Sequence, residues 1–91
     1  MNKLFDVAIG RRLRDRREQL QLTLKEVAER CGVGYQLIHK YESGYVQISA
    51  FRIWQLAQIL KVQVNYFFRE LDPALIQAPQ ADKKGSVRES T

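Results

Sequence analysis

Three observations predict an all-α fold, a compact bundle of about five short helices. First, Leu24, Val27, Ala28 and Cys31 fall at i, i+3, i+4 and i+7, and Ile53, Leu56, Ala57 and Leu60 repeat the pattern, each set lining one face of a helix. Second, helix starts are signed. Thr23 precedes the first stripe with Glu26 three residues on, the reciprocal capping arrangement, and Ser49 precedes the second. Third, two prolines and five glycines in 91 residues leave the amphipathic runs long.

The elements follow in order. Residues 1 to 5 are expected to fray, and Asp6 to cap a first helix running to about Leu20. Ile9, Leu13 and Leu20 would face inward, with Arg16 along the rim. Arg11, Arg12, Arg14, Arg16 and Arg17 fill five of the seven positions from 11 to 17, with Asp15 and Glu18 in partial balance. Such a run is either a solvated helix face or a phosphate-facing edge, and the motif that follows favours the edge. Leu22 and Thr23 turn the chain into the second helix. Gly32 stops that helix, because glycine enters the left-handed conformation cheaply. The third helix has Ile38 and Tyr41 inward and Gly44 at its close. Tyr45 to Ile48 reads as a loop, Ser49 caps the fourth helix, and Trp54 lies at the edge of its stripe, partly exposed. A short fifth element is expected from Asn65 to about Leu71, with Phe67 and Phe68 closing the core. Asp72 followed by Pro73 can seed a short C-terminal helix over residues 72 to 79. Residues 80 to 91 have one aliphatic side chain larger than alanine, Val87, and are expected to be disordered.

Composition narrows the function classes. The chain is long enough for one domain, near the lower end of what folds alone, with little room for an enclosed active site. A formal net charge of +5 suits a polyanionic partner, although many small proteins carry such an excess for solubility alone. Cys31 is the single cysteine and His39 the single histidine, so neither an internal disulfide nor a zinc cluster is expected, nor any cofactor. No nucleophile is paired with a base, and there is no carboxylate pair or phosphate loop, so no enzyme is read here. The first residues lack the pattern of a signal peptide, and no apolar run approaches a membrane span. A cytoplasmic, nucleoid-associated protein is expected.

The stretch from Leu24 to Gly44 organises the rest. Two helices crossing within one tight turn need a small residue at their contact, a sterically free residue in the turn, and a branched residue pointing back into the angle. Ala28, Gly32 and Ile38 supply these in order. An ordinary helical hairpin would use the same residues. The pattern resembles the helix-turn-helix of the Cro/cI-type repressors, the Xre family, with the lambda-repressor-like fold. Ile9-Gly10, Leu13, Arg14, Arg17, Val27-Ala28, Gly32-Val33, Ile38, Glu42-Ser43-Gly44, Leu56-Ala57, Leu60, Val62 and Phe67-Phe68 carry the likeness. It spans a DNA-binding domain over residues 6 to 71. Three positions depart from the family pattern: Leu24 stands for a phosphate-gripping glutamine, Gly34 for a Ser or Thr cap, and Lys61 for a glycine in the turn.

The resemblance implies that the third helix enters the major groove. Tyr35, Gln36 and Lys40 would then meet bases or phosphates, since glutamine pairs with adenine and lysine donates to guanine. Leu37 is open between partial burial and an apolar contact with DNA, and His39 on the flank has the weaker claim. Arg14 and Arg17 would grip the backbone from the first helix. Glu42 would position Arg17 through an exposed ion pair, which contributes about 0–1 kcal/mol, so that its value would lie in positioning. Cys31 reads as a small core residue. The expected function is a sequence-specific transcriptional repressor acting on a palindromic operator as a homodimer. Trp54, Tyr66, Phe67, Phe68, Leu75 and Ile76 are the expected dimer surface. The alternatives are an antitoxin that autoregulates through this domain, with a protein partner on its C-terminal tail, and an interaction module that has lost DNA binding.

Overall fold

The computed structural model describes residues 2–77. Helix α1 spans Lys3–Gln19, α2 Leu24–Cys31, α3 Tyr35–Glu42 and α4 Ala50–Leu60; 3₁₀ helices follow at Val64–Phe68 and Pro73–Gln77. Among the described residues there is no strand. The expected disorder of residues 80 to 91, and the last two positions of the expected short C-terminal helix, lie outside the described residues.

The inward stripes meet as periodicity requires. Leu13, Val27, Ile38, Leu56, Leu60 and Phe67 are fully buried and hold the four α-helices and the first 3₁₀ helix on one core. Each such side chain contributes about 1.5–3 kcal/mol relative to exposure. Cys31 is buried, and burial pushes its thiol pKa up.

Helix ends are fixed by local chemistry. Thr23 Oγ1 accepts from the Glu26 amide at 3.0 Å, and Glu26 Oε1 accepts from the Thr23 amide at 2.8 Å, completing the box expected there. Ser49 Oγ accepts from the Arg52 amide. α3 closes on a Schellman motif: the Gly44 amide donates to Tyr41, the Tyr45 amide to Lys40, and Gly44 takes φ +75°. α4 closes the same way without a glycine, leaving Lys61 at φ +59°, the strain its place in the turn implies.

Four expectations need correction. Asp6 does not cap α1, and residues 1 to 5 do not all fray. Asn2 is the cap, its side chain accepting from the Phe5 amide at 3.1 Å, so the helix begins at Lys3 and Asp6 is carried into it, 5% exposed. Asn2 also donates to the Leu75 carbonyl, tying the start of the helix to the second 3₁₀ helix. The fifth element is 3₁₀ and ends at Phe68, short of Leu71. Phe67 fills the core, whereas Phe68 stacks on Phe5 at 6.3 Å and stays part-exposed.

Candidate nucleic-acid interface

α3 is the shortest route from sequence to an outward surface. Ile38 and Tyr41 anchor it inside, which turns Tyr35, Gln36, His39 and Lys40 outward, all exposed. Leu37 is half-buried and packs against the core, so burial accounts for it. The helix starts after Gly34, which supplies no side-chain cap. Thr23, Leu24, Lys25 and Tyr35 line one shallow depression, so the start of α2 lies beside the start of α3. The first amides of each helix lack intrahelical partners and carry the positive end of its dipole.

α1 lies directly on the end of α3. At Gly10 a Cβ would come within 2.6 Å of the Glu42 carbonyl oxygen and overlap that of Tyr41. At Gly44 it would meet the Val7 backbone at 2.8 Å. Both glycines are therefore demanded by close approach, one on each side of the contact.

An ion pair locks that contact. Arg17 Nε donates to Glu42 Oε2 at 2.6 Å and Nη2 donates to Oε1 at 3.1 Å, while Nη1 donates to the Leu22 carbonyl at 2.8 Å. The expectation of an exposed pair is overturned: the Arg17 side chain is 12% exposed and that of Glu42 5%. Hydrogen bonding to Glu42 holds the guanidinium above the usual arginine pKa, against the opposing effect of burial. The pair joins α1, α3 and the α1–α2 turn, and every nitrogen of Arg17 is already engaged.

The other arginines divide by face. Arg12 donates to the carbonyls of Tyr66 and Arg69, and Arg16 donates to that of Leu60 at 2.9 Å, closing the end of α4. Those two are structural ties, not members of a phosphate-facing edge. Arg11 and Arg14 are exposed, paired with Asp15 and Glu18 one turn on, and line a shallow groove with Glu42 and Ser43. At this edge Lys3 and the ring of Tyr45 escaped the sequence reading. Lys3 Nζ donates to the Gly44 carbonyl at 2.9 Å and lies 5.7 Å from the Tyr45 ring centre; Lys40 Nζ lies 5.8 Å from the same ring. Asn2 three residues before Phe5 was the available signal, since a cap there brings Lys3 into the helix.

This is the geometry of a helix held rigidly with one face outward, beside a second helix start and a basic edge. A helix-turn-helix family model, HTH_3, matches residues 13–67, more than half the chain. The chain belongs to the HTH_3 family. It therefore carries a DNA-binding domain of the transcriptional-regulator type. An uncharacterized transcriptional regulator in the ATPase CF(0) region of Rhodospirillum rubrum is 43% identical over 67 residues, covering 74% of this chain and 62% of that protein. An uncharacterized HTH-type regulator of Sinorhizobium medicae is 37% identical over 66 residues, covering 72% of this chain and 48% of the relative. The chain thus spans about half to three-fifths of these relatives. Among solved structures, the restriction-modification controller protein C.AhdI of Aeromonas hydrophila superposes with a TM-score of 0.70 at 25% identity, covering 74% of this chain and 97% of its own. An HTH_3 family regulator from Vibrio cholerae shares the fold, with a TM-score of 0.70 at 23% identity, over 89% of this chain and 45% of its own.

Proposed function

We propose that this chain is a cytoplasmic sequence-specific transcriptional repressor that binds a palindromic operator as a homodimer, with α3 in the major groove. The observation that carries this reading is the Arg17–Glu42 lock, which fixes α3 on α1 with Gln36 and Lys40 exposed on one face. Gln36 and Lys40 are four residues apart, so their side chains stack near the half of the helix that enters the groove. Gln36 pairs with adenine and Lys40 with guanine. Tyr35 sits beside the start of α2 and contacts a phosphate or a thymine methyl. Leu37 braces α3 and touches DNA only at its exposed edge, and His39 flanks the groove.

Gripping falls to Arg14, to Lys3 at the far end of α3, and to the amides at the start of α2, where Leu24 cannot offer the amide of a glutamine. Arg17 acts chiefly by position, with Glu42 as its partner. Self-association supplies the second copy that a palindromic site needs. Exposed apolar side chains support it, namely Phe51, Trp54, Phe68 and Ile76, whereas Phe67 is withdrawn into the core. C.AhdI is named as a controller protein, a role compatible with repression.

The test is binding to duplex DNA across a salt series, with sedimentation at matched concentrations. Counterion release gives a slope of about −0.9 per neutralised phosphate, and a dimer is expected to show roughly −4 to −8 overall. A slope near zero would remove the regulator reading.

A further inference from the structure

α1 carries two basic stripes. Arg11, Arg14 and Glu18 fall at i, i+3 and i+7 and border the groove beside the end of α3. Arg12, Arg16 and Gln19 fall at i, i+4 and i+7 and turn toward the end of α4 and the first 3₁₀ helix. On a regular α-helix the two stripes are centred roughly 130° apart. The second stripe borders a groove of about 480 Å³, whose polar lining is Arg16, Arg69 and the amides of Gln19, Gln63 and Asn65, with Val62 and Tyr66 as its apolar part. No carboxylate lines it. Gln19 Oε1 already accepts from Arg16 Nη1 at 3.2 Å, which leaves the NH₂ of that amide as its free part. Arg69 is exposed and lies 5.1 Å from the Tyr66 ring centre. The carbonyl bonds of Arg12 and Arg16 fix where these side chains stand, yet they neutralise no charge. Among the described residues, none of Arg12, Arg16 and Arg69 has a carboxylate within 4.0 Å, whereas Arg11, Arg14 and Arg17 all do. Three like charges gathered at one donor-rich groove repel one another, and an anion relieves that repulsion.

We propose that this groove is a binding site for a small multivalent oxyanion, a phosphate ester or a polycarboxylate, held by Arg16 and Arg69 with Gln63 and Asn65 donating at its edge. The guanidinium fork matches the paired oxygens of either group, and hydrogen bonds from a charged donor are the strong ones. The volume falls within the ~300–1,000 Å³ of small-molecule sites. A neutral ligand leaves the gathered charge as it was, and a metal ion finds no carboxylate here. Operator phosphates are poor occupants too. Duplex DNA lying on α3 and Arg14 engages the first stripe of α1, and this groove borders the second.

The experiment is an NMR titration of the full chain at neutral pH with sodium pyrophosphate and with sodium citrate, ionic strength being held constant with sodium chloride. The side-chain amides of Gln19, Gln63 and Asn65 and the Arg69 guanidinium are expected to shift and to saturate by about 10 mM. The tighter of the two anions tells a phosphate source from a carboxylate one. Arg69→Gln, at an exposed position, is expected to weaken binding about tenfold or more. Gln63→Glu, also exposed, places a carboxylate in the groove, so binding should be lost while the melting temperature holds. The proposal is overturned if neither anion saturates, if the shifts fall on Gln36 and Lys40 of α3 instead, or if both variants bind as the native chain does. It is also overturned if the native chain binds neither anion while Arg69→Gln weakens self-association in sedimentation, which would make a second copy of this chain the occupant. The titration contains no DNA, so its failure leaves the regulator reading standing.

Discussion

Replacing Arg17 by alanine should damage the fold before it damages any contact with DNA. Glu42 is 5% exposed and receives two hydrogen bonds from Arg17, at 2.6 and 3.1 Å. Without the guanidinium, a buried carboxylate is left uncompensated, which costs about 3–5 kcal/mol. The Leu22 carbonyl loses its bond as well, for about 1 kcal/mol more. A small domain has only about 5–15 kcal/mol in total, so Arg17→Ala should be partly unfolded at room temperature or nearly so. Glu42→Ala should be milder, about 1–3 kcal/mol, because the guanidinium keeps Leu22, lies 4.0 Å from Glu18 and can draw in water. Replacing both by methionine and leucine should recover most of the loss, since an apolar pair of similar volume serves a buried site about as well. Urea titration followed by helical circular dichroism reads all three. A loss under about 1 kcal/mol for Arg17→Ala, or a double variant as unstable as the single, would refute the reasoning.

Two further predictions rest on local geometry. Gly10→Ala gains about 1 kcal/mol in helix propensity, yet its methyl overlaps the carbonyls of Tyr41 and Glu42, so a net loss of about 1–3 kcal/mol is expected by the same titration. A net gain would mean that α1 does not lie against α3 as described. Glu26 is held below the usual glutamate pKa, first by the hydrogen bond from the Thr23 amide and then by the Thr23 hydroxyl. A folded value below the unfolded one means that its stabilisation is present above the unfolded pKa, about 4.3, and is lost as pH falls through the folded one. Stability measured against pH should therefore fall in that acid window, and Glu26→Gln should flatten this part of the curve.

The fold was legible because its signals are local. The stripe of Leu24, Val27, Ala28 and Cys31, with Thr23 and Glu26 before it and Gly32 after, specifies α2 without help from the rest of the chain. Ser49 and the stripe from Ile53 to Leu60 do the same for α4. What escaped depends on contacts across the chain. The start of α1 turned on choosing Asn2 over Asp6 as its cap, and the burial of Asp6 and the hydrogen bond from Asn2 to the distant Leu75 carbonyl distinguish them. The burial of the Arg17–Glu42 pair needs α1 pressed on α3 through Gly10, a closeness no spacing reports. Likewise an arginine-rich helix face does not tell which arginines turn back to carbonyls. Arg12 and Arg16 do, and Arg11 and Arg14 do not.

The central claim is that α3 reads bases, and one substitution on its exposed face tests it most directly. Arg17 is unsuitable for that purpose, because its loss would unfold the reader. Gln36 is exposed and supports no core contact, so Gln36→Ala should leave stability unchanged. Fluorescence anisotropy should compare the native chain and Gln36→Ala on a selected operator, its single-base variants and a scrambled duplex, at fixed salt. The account predicts a loss of about 1–3 kcal/mol on the operator, relaxed preference at one base pair of each half-site, and no change on the scrambled duplex. Equal loss on every duplex, with base preference intact, would contradict the placement of α3 in the groove.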